Sequence, residues 1–260
     1  LDENANKRII DISTGIGGRS IALDPNRGLL YIGDYSGNVT AMSLSDSGPL
    51  VDFPVDTNSS LSDPILTMGV DVFGVLWAVS ECNMHYLMPS KGALWKTLEF
   101  CTSSEIEIPV GIHIDDRTIF LATEESGVRV IEYNVSASDF TSLDIERNVV
   151  WDDSNLLSGN SIADIAVSGD ILYIATSDSG IDRLDLSSDS WMPSWTSSNW
   201  LSSDNIVGLA TAPGWLYILA EEQVQPYDTD LLLFSSEVQL QSLGLDTASS
   251  ISAWPGGLPR

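Results

Sequence analysis

One three-residue phrase returns five times along this chain, and it limits the fold more than any other feature. It reads Leu30-Tyr31-Ile32, Leu76-Trp77-Ala78, Ile119-Phe120-Leu121, Leu172-Tyr173-Ile174 and Leu216-Tyr217-Ile218, with the aromatic positions 46, 43, 53 and 44 residues apart. About seven residues upstream of each lies a second short apolar run: 20–23, 66–70, 110–114, 162–167 and 206–210. Downstream comes a polar turn, often holding Gly37, Gly127 or Gly180, and then a third run. In 128–133 and 181–186 that third run alternates apolar and polar residues, the period of a strand with one buried and one wet face. A less regular fourth run closes each unit, as in Leu94-Trp95-Lys96-Thr97-Leu98.

Four short strands repeated at a period in the forties predict an all-β chain of β-propeller class, built from four-stranded antiparallel blades. A single blade cannot bury both of its faces, so neighbours must stack. Helical spacing is almost absent. The blades are expected near 13–56, 57–101, 102–150, 151–197 and 198–245, with a partial one over 246–260. Ile251-Ser252-Ala253-Trp254 has the pattern of the innermost strand of a sixth blade. Either five blades close with extra strands, or the chain is a slice of a longer protein; the slice is the preferred expectation.

Composition narrows the partners. With 37 acidic against 11 basic residues the net charge is −26, which repels nucleic acid and anionic lipid, attracts cations, and suits solubility in a salty medium such as a marine or halophilic one. No apolar run approaches the roughly 20 residues that span a bilayer, so no direct membrane insertion is expected.

Two connections, Leu157-Ser158-Gly159-Asn160-Ser161-Ile162 and Leu201-Ser202-Ser203-Asp204-Asn205-Ile206, resemble the Leu-Ser-Ser-Asn-x-Val opening of the two-component-regulator propeller repeat. Leu61-Ser62-Asp63-Pro64-Ile65-Leu66 is a weaker copy. The later part of that repeat, Gly-x-Leu-Trp-aliphatic-x-Thr-x-x-Gly, is similar to 74–78 and 170–176, with Gly180 one residue late. The first blade is closer to YVTN and NHL repeats. The resemblance implies an extracellular sensory or ligand-binding propeller, often for carbohydrate. No kinase, receiver or DNA-binding segment accompanies it.

In this architecture the turn after the second strand opens on the same face as the connection into the next blade. Each such turn carries a carboxylate: Asp34, Glu81, Glu124, Asp178 and Glu221. Wet turns in an acidic protein account for them; a cationic or polyhydroxylated ligand, or Ca²⁺ as a cofactor, is the functional alternative. No calcium loop of the Asp-x-Asp-x-Asp-Gly type occurs. Arg19, Asp63, Pro109, Asn160 and Asn205 lead into the innermost strands and are expected at the channel mouth. Cys82 and Cys101 fall on this face as well, so a disulfide is expected, stabilising by about 3 kcal/mol and pointing outside the cytosol.

Trp77, Trp95 and Trp215 read as strand residues packed between blades, while Trp195 and Trp200, in a Ser-rich connection, read as the better exposed candidates for stacking on a glycan. Asn38, Asn58 and Asn134 head sequons. His113 reads as core or channel lining, and His85 as a third-strand residue. No catalytic constellation emerges. The expected function is a non-catalytic ligand- or partner-binding module at the cell surface or outside the cell, for carbohydrate or protein. A propeller hydrolase or calcium-dependent lactonase acting on sugars or lactones, and a structural surface module, are the alternatives.

Overall fold

Strands that are apolar on both faces must be covered on both faces, and this gradient organises the computed structural model, which describes residues 18–43, 61, 63–87, 95–101, 107–135, 143–243, 248 and 251. The chain divides into two compact units between Phe100 and Cys101.

The first unit holds two sheets. Blade one comprises β1 (Gly18–Asp24), β2 (Leu29–Asp34) and β3 (Val39–Ser43); blade two comprises β4 (Thr67–Val70), β5 (Leu76–Val79), β6 (Asn83–Leu87) and β7 (Lys96–Glu99). Strands pair antiparallel in chain order. Tyr31, Val39 and Ala41 pack with Ile65, Met68, Leu76 and Leu87 in one core. Arg27 ties the two blades: its Nη1 pairs with Asp24 Oδ2 at 3.2 Å and donates to the Gly74 carbonyl at 2.9 Å.

The second unit holds three. Blade three is β8 (Pro109–Asp115), β9 (Thr118–Thr123), β10 (Gly127–Val135) and β11 (Leu143–Trp151). Blade four is β12 (Ile162–Ser168), β13 (Ile171–Thr176), β14 (Gly180–Asp185) and β15 (Ser190–Trp195). Blade five is β16 (Ile206–Ala212), β17 (Trp215–Ala220), β18 (Gln223–Asp228), β19 (Leu233–Phe234) and β20 (Val238–Gln239), followed by a 3-10 turn at Leu240–Leu243. β12 lies against both β8 and β16, which makes these the innermost strands. The chain is thus all-β, with five antiparallel blades of propeller class.

The recurring phrase is the second strand, and the packing shows why it is apolar throughout. Leu172 and Ile174 face blade three in one core, whereas Tyr173 and Ala175 face blade five in another. Each buried Leu or Ile contributes about 1.5–3 kcal/mol, so losing the pattern on either face would separate a pair of blades. Outermost strands carry the polar residues instead: β7 is largely exposed, as is most of β11.

The turn after the second strand is a repeated device. Thr123 Oγ donates to the Gly127 carbonyl at 2.8 Å and accepts from Ser126 N; Thr176 does the same with Gly180 and Ser179. Gly127 and Gly180 have φ of +81° and +90°, and a Cβ on either would stand 2.0 and 2.1 Å from the carbonyl oxygens of Trp151 and Trp195. The geometry needs four residues from Thr to Gly, which is why Gly180 falls one place later than the repeat pattern.

The sequence 190–195 corrects one expectation. It is the outer strand β15 and not a connection, and Trp195 is only 3% exposed. Pro193 disguised it; a proline is tolerated there because an outermost strand needs no donor on its open side. Ile251 lies against Gly208 of β16 as Ile165 lies against Gly111 of β8, the place of a further innermost strand. Residues 252–260, including Trp254, fall outside the described residues, as do Asn58 and the segment expected to supply a fourth strand to blade one.

Candidate binding face

The Leu-Ser connections are held by the third strand of their own blade. In blade four, Asp182 Oδ2 accepts from Ser158 N at 2.7 Å and Ser158 Oγ at 2.8 Å, while its Oδ1 accepts from Ser194 Oγ. In blade five, Gln225 Oε1 accepts from Ser202 N at 3.2 Å and its Nε2 donates to the Trp200 carbonyl. In blade three a buried ion pair does this work: Arg129 Nε donates to Glu107 Oε2 at 3.0 Å, Nη2 to Oε1, and Nη1 to Asn148. Leu157 and Leu201 are buried beside these anchors. His85 holds the same third-strand place in blade two, where Nδ1 meets Thr97 Oγ at 2.8 Å and the buried Nε2 has no partner among the described residues. Burial lowers the His85 pKa, against the pull of Asp63.

These anchors set the connections beside the second-strand turns. Gly127 N donates to the Asn160 carbonyl of the next blade, and Gly180 N to the Asp204 carbonyl of its next blade, at 3.0 and 3.1 Å. Ser177 N donates to the Ser161 carbonyl of its own blade. In the second unit one face therefore gathers Glu124, Asp178 and Glu221, all exposed, with Asn160 and Asn205. Asn205 Nδ2 donates to Glu221 Oε1, joining two of the expected site residues directly. Glu221 and Glu222, with Ser203, Gln223 and Gln239, line a shallow cleft of 180 Å³. Asn160 Oδ1 is occupied by Asp153 N, and Asp178 by the Ser179 hydroxyl.

In the first unit the expected residues play more local parts. Asp34 is 2% exposed; its carboxylate accepts from Ser36 N, Asn38 N and Asn38 Nδ2 and so closes the turn instead of facing solvent. Arg19 is exposed, with its guanidinium 5.1 Å from the Tyr35 ring. Asp63 accepts from Asn83 Nδ2 at 3.4 Å, and Glu81 is exposed. Among the described residues no three His, Cys, Asp or Glu side chains come together as a metal site. Cys82 and Cys101 are disulfide-bonded, and Phe100 N donates to the Cys82 carbonyl beside them.

Of the aromatic expectations, Trp77 is fully buried, Trp95 packs on the first unit's core, and Trp215 stacks on Tyr217. Trp200 is 60% exposed. His113 is half-buried and its pKa is lowered by that burial, with Asp115 opposing. Asn38 is spent on Asp34, and Asn134 bonds Arg117 and Glu146. No helix of the described residues is long and apolar enough to cross a membrane.

No family model matches the chain, and no curated protein matches it significantly. Solved structures do. The extracellular domain of the putative one component system BT4673 from B. thetaiotaomicron aligns with a TM-score of 0.61 at 14% identity over 87% of this chain and 32% of that one. Saccharomyces cerevisiae Sqt1 aligns with a TM-score of 0.61 at 9% identity, over 92% and 78% of the two chains. The RRP9 WD40 repeats give 0.59 at 10% identity, over 86% and 64%. The chain spans 61% of the computationally designed Ika8 protein and 64% of the RRP9 chain. At these identities the likeness establishes the propeller fold and nothing finer.

Proposed function

We propose that the chain is a non-catalytic recognition module of extracellular type, related to the two-component-regulator propeller repeats, which binds a carbohydrate through the face that carries the second-strand turns. The observation that carries this reading is the alignment of Glu124, Asp178 and Glu221 on one face of the second unit, with Asn205 bonded to Glu221. Exposed carboxylates and amides on hydrogen-bonded turns offer fixed acceptors to the hydroxyls of a sugar at little ordering cost. The Leu-Ser connections, the disulfide and the likeness to the BT4673 extracellular domain support the compartment and the repeat family.

A glycan array probed with the intact chain tests it. Binding without turnover is expected, weakened at least tenfold in an Asp178→Asn, Glu221→Gln double variant. Hydrolysis of a bound glycan, or binding that ignores the double variant, would overturn the reading.

A further inference from the structure

The seam between blades four and five opens at the other end of the strands into two adjoining hollows that the carboxylate-bearing face does not use. The first, of 650 Å³, is lined by Asp170, Tyr173, Asp185, Pro213, Asp230 and Leu232. The second, of 490 Å³, lies along the outer rim against Arg183, Trp200, Tyr227, Leu232, Leu233 and Phe234. Leu232 belongs to both.

Three observations mark the seam as built for an occupant. Leu231, Leu232 and Leu233 are 68%, 70% and 61% exposed in succession, next to Trp200 at 60%, whose ring stacks on Phe234. A run of bare apolar side chains on a chain of net charge −26 is a docking signature rather than a wet surface. The carboxylates of Asp170 and Asp230 make no hydrogen bond or ion pair among the described residues, whereas Asp185 is engaged by Ser187 and Ser188. Tyr173 is 3% exposed as a residue and lines the larger hollow, and its hydroxyl, which has no hydrogen-bond partner among the described residues, is the part that reaches solvent there. A hydroxyl that meets water at the wall of a hollow can exchange that water for a polar group of a ligand.

Charge selects the occupant. No lysine or arginine lines the larger hollow, and a second copy of so acidic a chain would bring like charge against Asp170 and Asp230. Arg183, in the smaller hollow, is turned onto the Trp195 ring at 4.2 Å and donates to the Pro193 carbonyl, so it closes that side to a cation. The basic group of a ligand must therefore enter the larger hollow and the apolar group the smaller.

We propose that this seam is a docking groove for an extended peptide segment of a protein partner: an apolar side chain seats on Leu232, Trp200 and Phe234, and a lysine or arginine beside it enters between Asp170 and Asp230, within reach of the Tyr173 hydroxyl. The two anchors lie on one side of the peptide, as residues two apart in an extended chain do.

The test uses the whole chain and a fluorescein-labelled Ser-Phe-Ser-Lys-Ser amide, read by anisotropy. Replacing the peptide lysine by glutamine, or its phenylalanine by alanine, should each weaken binding at least fivefold. The Asp170→Asn, Asp230→Asn double variant should erase the preference for lysine over glutamine. Leu232→Gly should weaken both peptides about tenfold without lowering the melting temperature, because Leu232 sits at φ +57°, where glycine is the easier residue. Absence of an anisotropy change at millimolar protein, equal affinity for the lysine and glutamine peptides, or sedimentation showing a dimer that Leu232→Gly disperses would each overturn the proposal.

Discussion

The carboxylate of Asp164 bridges two innermost strands: Oδ2 accepts the Leu209 N–H of β16 at 2.9 Å, and Oδ1 accepts the Ile165 N–H of its own strand at 2.8 Å. The pairing of β12 with β13 slips between Ile162 and Asp164, and that of β16 with β17 slips between Ile206 and Gly208. The side chain thus meets backbone donors at two irregular points of the sheets. Asp164→Ala should cost about 1–3 kcal/mol for each N–H left unpaired, measured by urea unfolding.

The same carboxyl carries a proton linkage. Burial raises its pKa above the ordinary aspartate value of 3.8, and the two backbone hydrogen bonds only partly oppose this. A raised folded value means stability that is complete below the unfolded value and fades as pH rises through the folded one. The advantage of the wild type over Asp164→Asn should therefore be larger near about pH 3.5 than near pH 7. Thermal melts of both proteins across that range check the sign.

Histidine gives the opposite slope. Burial depresses the pKa of both His85 and His113 below 6.5. The stability linked to the neutral rings is present above that value and is lost as pH falls through the lower folded values. His85→Gln places in blade two the residue that Gln225 provides in blade five, and should flatten part of the fall in melting temperature between about pH 7 and pH 5. An unchanged slope would mean that His85 titrates alike in both states.

Two glycines of similar backbone twist should respond differently to alanine. Gly169 has φ +59° with no atom within 4 Å of a new Cβ, so Gly169→Ala costs only the left-handed backbone, about 1–2 kcal/mol. Gly180 at φ +90° adds a clash with the Trp195 carbonyl at 2.1 Å, and relief requires moving the outer strand away from the turn. Gly180→Ala should cost at least about 1 kcal/mol more than Gly169→Ala in parallel denaturant titrations.

The strands were legible because their burial is periodic. Leu172 and Tyr173 both had to be apolar, facing two different blades, and that requirement repeats with every second strand. The anchors of the candidate face were not legible. Arg129, Asp182, Gln225 and His85 hold one place in four blades with four different chemistries, so no residue type recurs for a motif to catch. The available signal was positional: a polar residue at the same step of the third strand in each of these blades. Asp34 was misleading for a related reason, since a turn carboxylate closes its own backbone donors when they lie two and four residues on. Trp195 belonged to the core because its strand runs through Pro193 and ends only there.

The anchors differ in chemistry and should differ in energy. Arg129 and Glu107 are 7% and 6% exposed, so removing one partner strands a buried charge. Glu107→Ala should cost about 3–5 kcal/mol, whereas an Arg129→Met, Glu107→Leu pair, which removes both charges and keeps volume, should cost far less. Ser202→Ala in blade five removes only a neutral donor 3.4 Å from Gln225 Oε1, and its backbone bond to the same oxygen survives, so it should cost about 1 kcal/mol or less. Chemical denaturation of the three variants orders them. A double variant as unstable as Glu107→Ala would show that the guanidinium holds the blade-three connection through Asn148 instead of through the ion pair.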